Sequence, residues 1–302
     1  MGGFQLARRI WTLHASPAGA SSSYSTKPDA RPGSVQMPTM IYGTAWKTER
    51  TCDLVLQALR LGFRGIDTAC QPKHYNEPAV GEALEASGLK RQDIYLQTKF
   101  TPLSGQDPQR VPYDADAALE VQVEQSVAAS LKNLRTTWVD CLVLHSPLAS
   151  HADTLRAWRA MEVEVSRGRC RSLGISNCHD PKQFELLYGE ARIKPAVLQN
   201  RFYADTGYDA SLRRFCRERG IVYQSFWTLT ANPSALRSRP LKRVARAHGC
   251  SSEAAWFGFV RGIGIVPLSG TSSEAHMAAD LALPTLTEDE VRLLDEVLLQ
   301  AS

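Results

Sequence analysis

Four side chains in this chain could together move a proton onto a carbonyl oxygen: the carboxylate of Asp67, the ammonium of Lys99, the imidazole of His145 and the phenol of Tyr75. A lysine buried beside a carboxylate keeps its charge, and that charge lowers the pKa of a nearby phenol. A phenol tuned in this way can deliver a proton to a carbonyl oxygen near neutral pH. Singly, each residue is ordinary. Asp67 could cap a turn, Lys99 could be a surface lysine, His145 could be a structural histidine, and Tyr75 is one of nine tyrosines. Their meaning depends on whether the chain brings them to one place.

The hydrophobic pattern says that it does. Short apolar runs predict strands at residues 41–46, 63–69, 94–100, 139–145, 172–176, 196–202, 221–227 and 263–268. Amphipathic stretches between them predict helices at 52–60, 79–86, 119–134, 154–166, 182–191, 210–219, 241–248, 252–260 and 273–281. In the first of these, Leu54, Val55, Ala58 and Leu59 share one face, the 3.6-residue signature of a helix packed on a core. A last helix, 288–299, opens on Thr287 in a capping-box pattern. A loop at 102–116 is rich in Pro, Gly and Asp, and a second carries Pro233 and Pro240.

Eight strands alternating with helices demand parallel pairing and right-handed crossovers. The predicted class is α/β, a (β/α)8 TIM barrel forming a single domain over residues 36–302. An open doubly wound sheet should bring a GxGxxG turn after an early strand, and none is present.

Barrel enzymes place their chemistry at the C-terminal strand ends. In order these read Gly43-Thr44-Ala45, Asp67-Thr68-Ala69, Thr98-Lys99, His145-Ser146, Ser176-Asn177, Gln199-Asn200, Ser225-Phe226-Trp227 and Ser269-Gly270-Thr271. Asp67, Lys99 and His145 thus close three consecutive strands around one mouth. No Asp, Glu and His set has metal-ligand spacing, which makes a metallohydrolase barrel a poor second reading.

Composition narrows the partners. With 302 residues, 43% hydrophobic and 22% charged, the chain can bury a sizeable core. Its net charge is +4 from 35 basic and 31 acidic residues that are interspersed, so no basic stripe points to nucleic acid. No apolar run reaches membrane-spanning length. Seven irregularly spaced cysteines without a CxxC pair predict reduced thiols rather than zinc or a disulfide framework. Residues 1–35 read as a disordered extension: Arg8 and Arg9 precede a Ser/Ala/Pro/Gly-rich stretch, and the first acidic residue is Asp29. An acid-poor start of this kind resembles an organellar transit peptide. The expected location is cytoplasmic if it is a plain tail, mitochondrial or plastid if it is a transit peptide.

Together these motifs resemble the aldo-keto reductase family. The resemblance runs from Gly62-Phe63-Arg64-Gly65-Ile66-Asp67-Thr68-Ala69 through Tyr75-Asn76-Glu77, Val80-Gly81-Glu82-Ala83-Leu84 and Thr98-Lys99. It continues through Leu142–Pro147, Gly174–Asn177, Pro195–Asn200 and Ile265–Thr271, spanning about residues 38–300. It implies a (β/α)8 barrel reducing a small aldehyde or ketone without metal, with NADPH as cofactor and NADH as the alternative, and monomer as the family default. Position by position, Tyr75 resembles the family's acid, Asp67 and Lys99 the pair that tunes it, and His145 the residue that orients the carbonyl. Ser176, Asn177 and Gln199 resemble the positions that hold the nicotinamide carboxamide. Phe226 resembles the ring stacked on the nicotinamide, and Ser269, Gly270 and Thr271 the adenosine-phosphate site ahead of a helix start. The expected cofactor set is completed by Gly43, Thr44, Ala45 and Asp67 and by Trp227, Thr228 and Leu229.

Three positions depart from the family pattern. The segment Cys70-Gln71-Pro72-Lys73-His74 ahead of Tyr75 is longer, with His74 expected to be peripheral. Leu268 stands where the family often has Lys, and Glu274 or Ala278 near its Arg for the 2′-phosphate, which leaves NADPH against NADH open. Phe226-Trp227-Thr228 replaces Tyr-Ser-Pro; Trp227 and Trp46, with the 102–116 loop, are expected to shape the substrate rim. The alternative function is a non-catalytic nucleotide-binding regulatory subunit on the same fold. An intact Asp67, Tyr75, Lys99 and His145 argues for the enzyme.

Overall fold

The structure is a computed structural model and describes residues 36–301. The expectations for residues 1–35 lie outside it. Eight strands, β1 (Ile41–Gly43), β2 (Gly65–Asp67), β3 (Tyr95–Phe100), β4 (Val139–Leu144), β5 (Cys170–Ser176), β6 (Val197–Arg201), β7 (Val222–Phe226) and β8 (Ile265–Ser269), pair in parallel and in order. The sheet closes where Ile41 of β1 pairs with Leu268 of β8. The chain is therefore the (β/α)8 barrel that the alternation predicts.

Helices α1 (Thr51–Leu61), α2 (Glu77–Ala86), α3 (Leu119–Asn133), α4 (His151–Ser166), α5 (Pro181–Glu190) and α6 (Ala210–Arg219) cover the first six strands. Then come α7 (Pro233–Arg237), α8 (Arg239–Ala247), α9 (Ser252–Gly262), α10 (Glu274–Leu281) and α11 (Glu288–Ala301). Among the described residues no helix is long and apolar enough to cross a membrane, and all seven cysteines are free thiols. Local sequence sets the helix starts. The side chains of Asn76, Ser150, Asp180, Ser238, Ser251 and Ser273 each accept a bond from a first-turn N–H, relieving donors that a helix start leaves unpaired. The helices present Leu54, Val80, Val123, Trp158, Phe184, Trp256 and Phe259 to the outer face of the sheet. The barrel interior holds a smaller apolar layer of Ile41, Tyr95, Cys141, Val143, Val197 and Leu268.

The differences from the sequence reading fall at element ends. Residues 44–46 do not continue β1, because the backbone N–H and hydroxyl of Thr44 both bond to the Asp67 carbonyl (3.0 and 2.9 Å) and Trp46 turns at φ 62°. β7 likewise stops at Phe226, and Trp227 turns at φ 54°. Ile263 belongs to the end of α9, where its N–H bonds to Phe259, so β8 begins at Ile265. The proline-bearing stretch expected as loop forms α7 and the start of α8. Pro233 and Pro240 occupy first-turn positions, where a missing N–H costs nothing. The 102–116 loop is packed onto the barrel: Tyr113 is buried and its hydroxyl donates to the Thr101 carbonyl at 2.7 Å.

Candidate active site

The ends of β2, β3 and β4 bring the expected charges together. Lys99 and Asp67 are 1% and 3% exposed, and Lys99 Nζ lies 2.6 and 2.7 Å from the two carboxylate oxygens. Burial alone pulls the Lys99 pKa down, but Asp67 and Tyr75 more than reverse this, so the ammonium is held charged. Asp67 rests on a lattice of amides. Gln97 and Gln199 each donate to its Oδ1, at 2.6 and 3.0 Å, and each also donates to Oε1 of Gln224. Gln224 returns a bond to Gln97 Oε1 at 2.9 Å and donates to Met37 Sδ at 3.4 Å. Thus the floor of the mouth is one carboxylate among three glutamines. The sequence reading found Gln199; Gln97 and Gln224 were missed, although each shares a strand face with a singled-out residue, Lys99 and Phe226, two positions on.

Tyr75 and His145 sit above this pair. Lys99 Nζ is 5.2 Å from the centroid of the Tyr75 ring, and the Tyr75 and His145 rings meet edge to face at 5.9 Å. Desolvation raises the Tyr75 pKa, the Lys99 charge opposes it, and the net direction is up. The expected lowering by Lys99 is therefore present but outweighed by burial. His145 is pushed down to about 3 by burial and by the nearby Lys99, so its imidazole is neutral. Its Nδ1 is paired at 2.7 Å with the hydroxyl of Thr101. If that hydroxyl donates, the tautomer carries its proton on Nε2, turned to donate to a carbonyl oxygen.

The long segment before Tyr75 is folded as a tight turn. The N–H groups of His74 and Tyr75 both bond to the Gln71 carbonyl, at 3.2 and 3.1 Å. Gln71 donates to the Gly105 carbonyl and Gln106 to that of Cys70, which locks the insertion to the 102–116 loop. These bonds bring the Tyr75 phenol to Lys99. His74 stacks on the exposed Trp46 with centroids 3.6 Å apart, at the rim. Residues 69–78, Trp46, Arg110 and Pro112 line a cavity of about 400 Å³ beside the phenol.

The cofactor candidates divide into two groups. Gln199 has its amide nitrogen committed to Asp67 and Gln224, which leaves its oxygen as the group to accept from a carboxamide. Asn177 stands at φ 52°, donating to the His145 carbonyl and to Ser176 Oγ. Phe226 packs beside the inner apolar layer at the top of β7. Gly43 pairs with Asp67 in register, and Ala45 follows it half-buried. The side chains of Thr44 and Thr228, by contrast, are committed within the protein: Thr44 to β2, and Thr228 to Ser225. Leu229 packs on the outer core.

At the β8 end the fit is uneven. The Gly270 carbonyl accepts from Lys47, and the Thr271 carbonyl from the Tyr42 hydroxyl. Ser269 Oγ donates to the buried Asp280 at 2.5 Å, Leu268 is buried in the barrel, and Glu274 is held by Gln57 at 2.9 Å. Lys47 is the cation bonded to this loop and two carboxylates stand beside it, while Arg50 and Arg60 line the adjoining cavity with Glu274.

One rim cation escaped the sequence reading. Arg201 closes β6, and its guanidinium carbon lies 4.4 Å from the ring centroids of both Tyr203 and Trp227.

Comparisons with known proteins bear on the fold and the family. The model of the aldo/keto reductase family matches residues 39–299. The chain is 26% identical to the D-galacturonate reductase of Hypocrea jecorina, over 87% of each chain. It is 28% identical to the glycerol 2-dehydrogenase (NADP+) of the same organism, over 80% of this chain and 82% of that one. An aldo/keto reductase structure from Brucella melitensis superposes with a TM-score of 0.74 at 25% identity, covering 86% of this chain and 95% of the other. The NADPH complex of the aldo-keto reductase AKR2E5 shares the fold, with TM-score 0.72 at 20% identity and coverage of 88% and 85%.

Proposed function

From its membership of the aldo/keto reductase family, which makes it a carbonyl-reducing oxidoreductase that uses a nicotinamide cofactor, we propose that this chain reduces aldehydes or ketones to alcohols with Tyr75 as general acid. The observation that carries the reading is the buried Lys99–Asp67 pair beneath the Tyr75 ring. A charge pair withdrawn from water is costly to keep, and here it faces a phenol in the barrel mouth.

The nicotinamide, when bound, supplies the hydride. Ser176, Asn177, Gln199 and Phe226 would hold its ring end, and the loop 269–271 with Lys47 its phosphate end. His145 is neutral and orients the substrate oxygen by donating from its imidazole. Tyr75 Oη passes its proton to that oxygen as negative charge develops there. Lys99 stabilises the phenolate left behind, and Asp67 keeps Lys99 charged. The apolar rim, Trp46 and Trp227, excludes water from the reacting atoms and bounds the substrate.

The names of two relatives place reactions on polyhydroxylated substrates in this range of sequences, D-galacturonate for one and glycerol for the other. Sugar-derived and polyol-derived carbonyls are therefore the first substrates to try. The test follows oxidation of NADPH and of NADH against a panel of such carbonyls. The expected result is turnover by the wild type, lowered on the order of 10²–10⁴-fold in Tyr75→Phe. Equal rates in the two proteins would remove Tyr75 from the role of acid.

A further inference from the structure

Arg201 is a cation at the barrel mouth that nothing among the described residues neutralises. Among the described residues its guanidinium enters no ion pair, and its Nε is buried without a hydrogen-bond partner. A buried donor left unpaired is costly, and nothing among the described residues compensates this one, although the side chain as a whole is only half-buried. The guanidinium carbon stands over the rings of both Tyr203 and Trp227, 4.4 Å from each centroid. The N–H groups of a guanidinium lie in its plane, so stacking leaves that edge free to meet an oxyanion side on.

Its position follows from strand alternation. On β6, Asn200 turns outward to Asp209 at 2.6 Å, and Phe202 is buried among the helices against Trp256. Gln199 and Arg201 share the opposite, inward face. Gln199 touches Asp67, and Arg201 stands two residues further toward the mouth, about 6–7 Å along the strand. The arginine therefore looks onto the space above the Lys99–Asp67 pair. Its flanking ring is braced from below. His179 contacts Tyr203 edge to face at 6.0 Å and is itself fixed to the buried Asp209 at 3.0 Å. Asp209, at φ 50°, also accepts from Asn200 and Tyr223.

We propose that Arg201 is a specificity-determining residue that binds an oxyanion, the carboxylate of a carbonyl substrate such as an oxo acid or a sugar acid. A cofactor phosphate offers the same chemistry, but the loop expected to take it, at Gly270 and Thr271, already has Lys47. The proposal rests on the reading of this mouth as a carbonyl-reducing site.

The experiment compares kcat/KM for 4-carboxybenzaldehyde and for benzaldehyde in the wild type and in Arg201→Gln, with Kd for NADPH and NADH measured alongside. The expected result is a preference for the carboxylated aldehyde that falls at least ten-fold in the variant, with cofactor Kd little changed. An unchanged preference overturns the proposal. So does a loss confined to cofactor binding, which would assign the arginine to a phosphate. Calorimetric binding of 4-carboxybenzyl alcohol against benzyl alcohol to the cofactor-loaded protein needs no turnover. If neither aldehyde reacts but the carboxylated alcohol binds better only when Arg201 is present, the anion site stands and the catalytic reading falls.

Discussion

Lys99 Nζ is ringed by acceptors: both oxygens of the Asp67 carboxylate at 2.6 and 2.7 Å and the Thr68 carbonyl at 2.9 Å. It acts on Tyr75 through its charge and through a side-chain hydrogen bond, with Nζ 5.2 Å from the ring centroid. Removing the charge should affect chemistry more than binding. In Lys99→Met, kcat is expected to fall by about 10²-fold or more while cofactor Kd changes little. Asp67→Asn leaves the ammonium buried without its counter-charge, and is expected to lose both activity and about 3–5 kcal/mol of stability in denaturant titrations.

The raised Tyr75 pKa gives the two reaction directions different pH dependence. Reduction needs the protonated phenol, which persists above the usual tyrosine range of about 10. Its kcat should be flat from about pH 6 to 9. Alcohol oxidation needs the phenolate and should quicken with pH over the same range. A break near pH 6.5 in the reduction profile would show a histidine titrating, contrary to a His145 pKa of about 3.

The same histidine links stability to acid. Its pKa is about 3 when folded and about 6.5 when unfolded. Between these values the unfolded chain binds the extra proton. The contribution of neutral His145 is thus fully present above pH 6.5 and is lost as pH falls toward 3, at up to about 1.4 kcal/mol per unit. Urea midpoints measured from pH 7 to 4 should fall less steeply in His145→Asn.

Gly81 lets α2 cross the end of α3. A Cβ there would meet the Asn133 carbonyl oxygen at 2.1 Å, and backbone cannot step aside as a side chain can. Gly81→Ala is expected to cost about 1–3 kcal/mol by overpacking, read as a lowered thermal midpoint.

The β8 loop carries a prediction about the cofactor. Glu274 places a carboxylate at the start of α10, and Leu268 offers no charge. Leu268→Lys combined with Glu274→Arg should shift the ratio of NADH to NADPH dissociation constants toward NADPH by about ten-fold or more, some 1.4 kcal/mol. Fluorescence titration of both cofactors on wild type and variant reads this directly.

Much of the site was legible because it is built on strand ends, where an apolar run finishing in a polar residue is a visible signal. Asp67, Lys99 and His145 converge as that signal predicts. Tyr75 lies on a loop, and only the bonds of Gln71 and Gln106 explain how its ring reaches the others. Arg201 was hidden because one arginine at a strand end looks like any surface cation. Its stacking partners come from different loops, and no local pattern announces them. Trp46 and Trp227 bend at positive φ, which tertiary contacts impose against their own preference. For that reason the ends of β1 and β7 were read as too long.

The three glutamines beneath Asp67 make the barrel one-ended for proton traffic. A carboxamide does not give up a proton near neutral pH. The lattice ends on the thioether of Met37, which has none to give, and on the phenol of Tyr95, whose pKa burial raises well above the usual tyrosine range so that it keeps its proton. A phenol that has surrendered its proton cannot be refilled from below. Reprotonation of Tyr75 has to come through the same opening that admits the substrate, in the interval after one product leaves and before the next carbonyl closes the mouth.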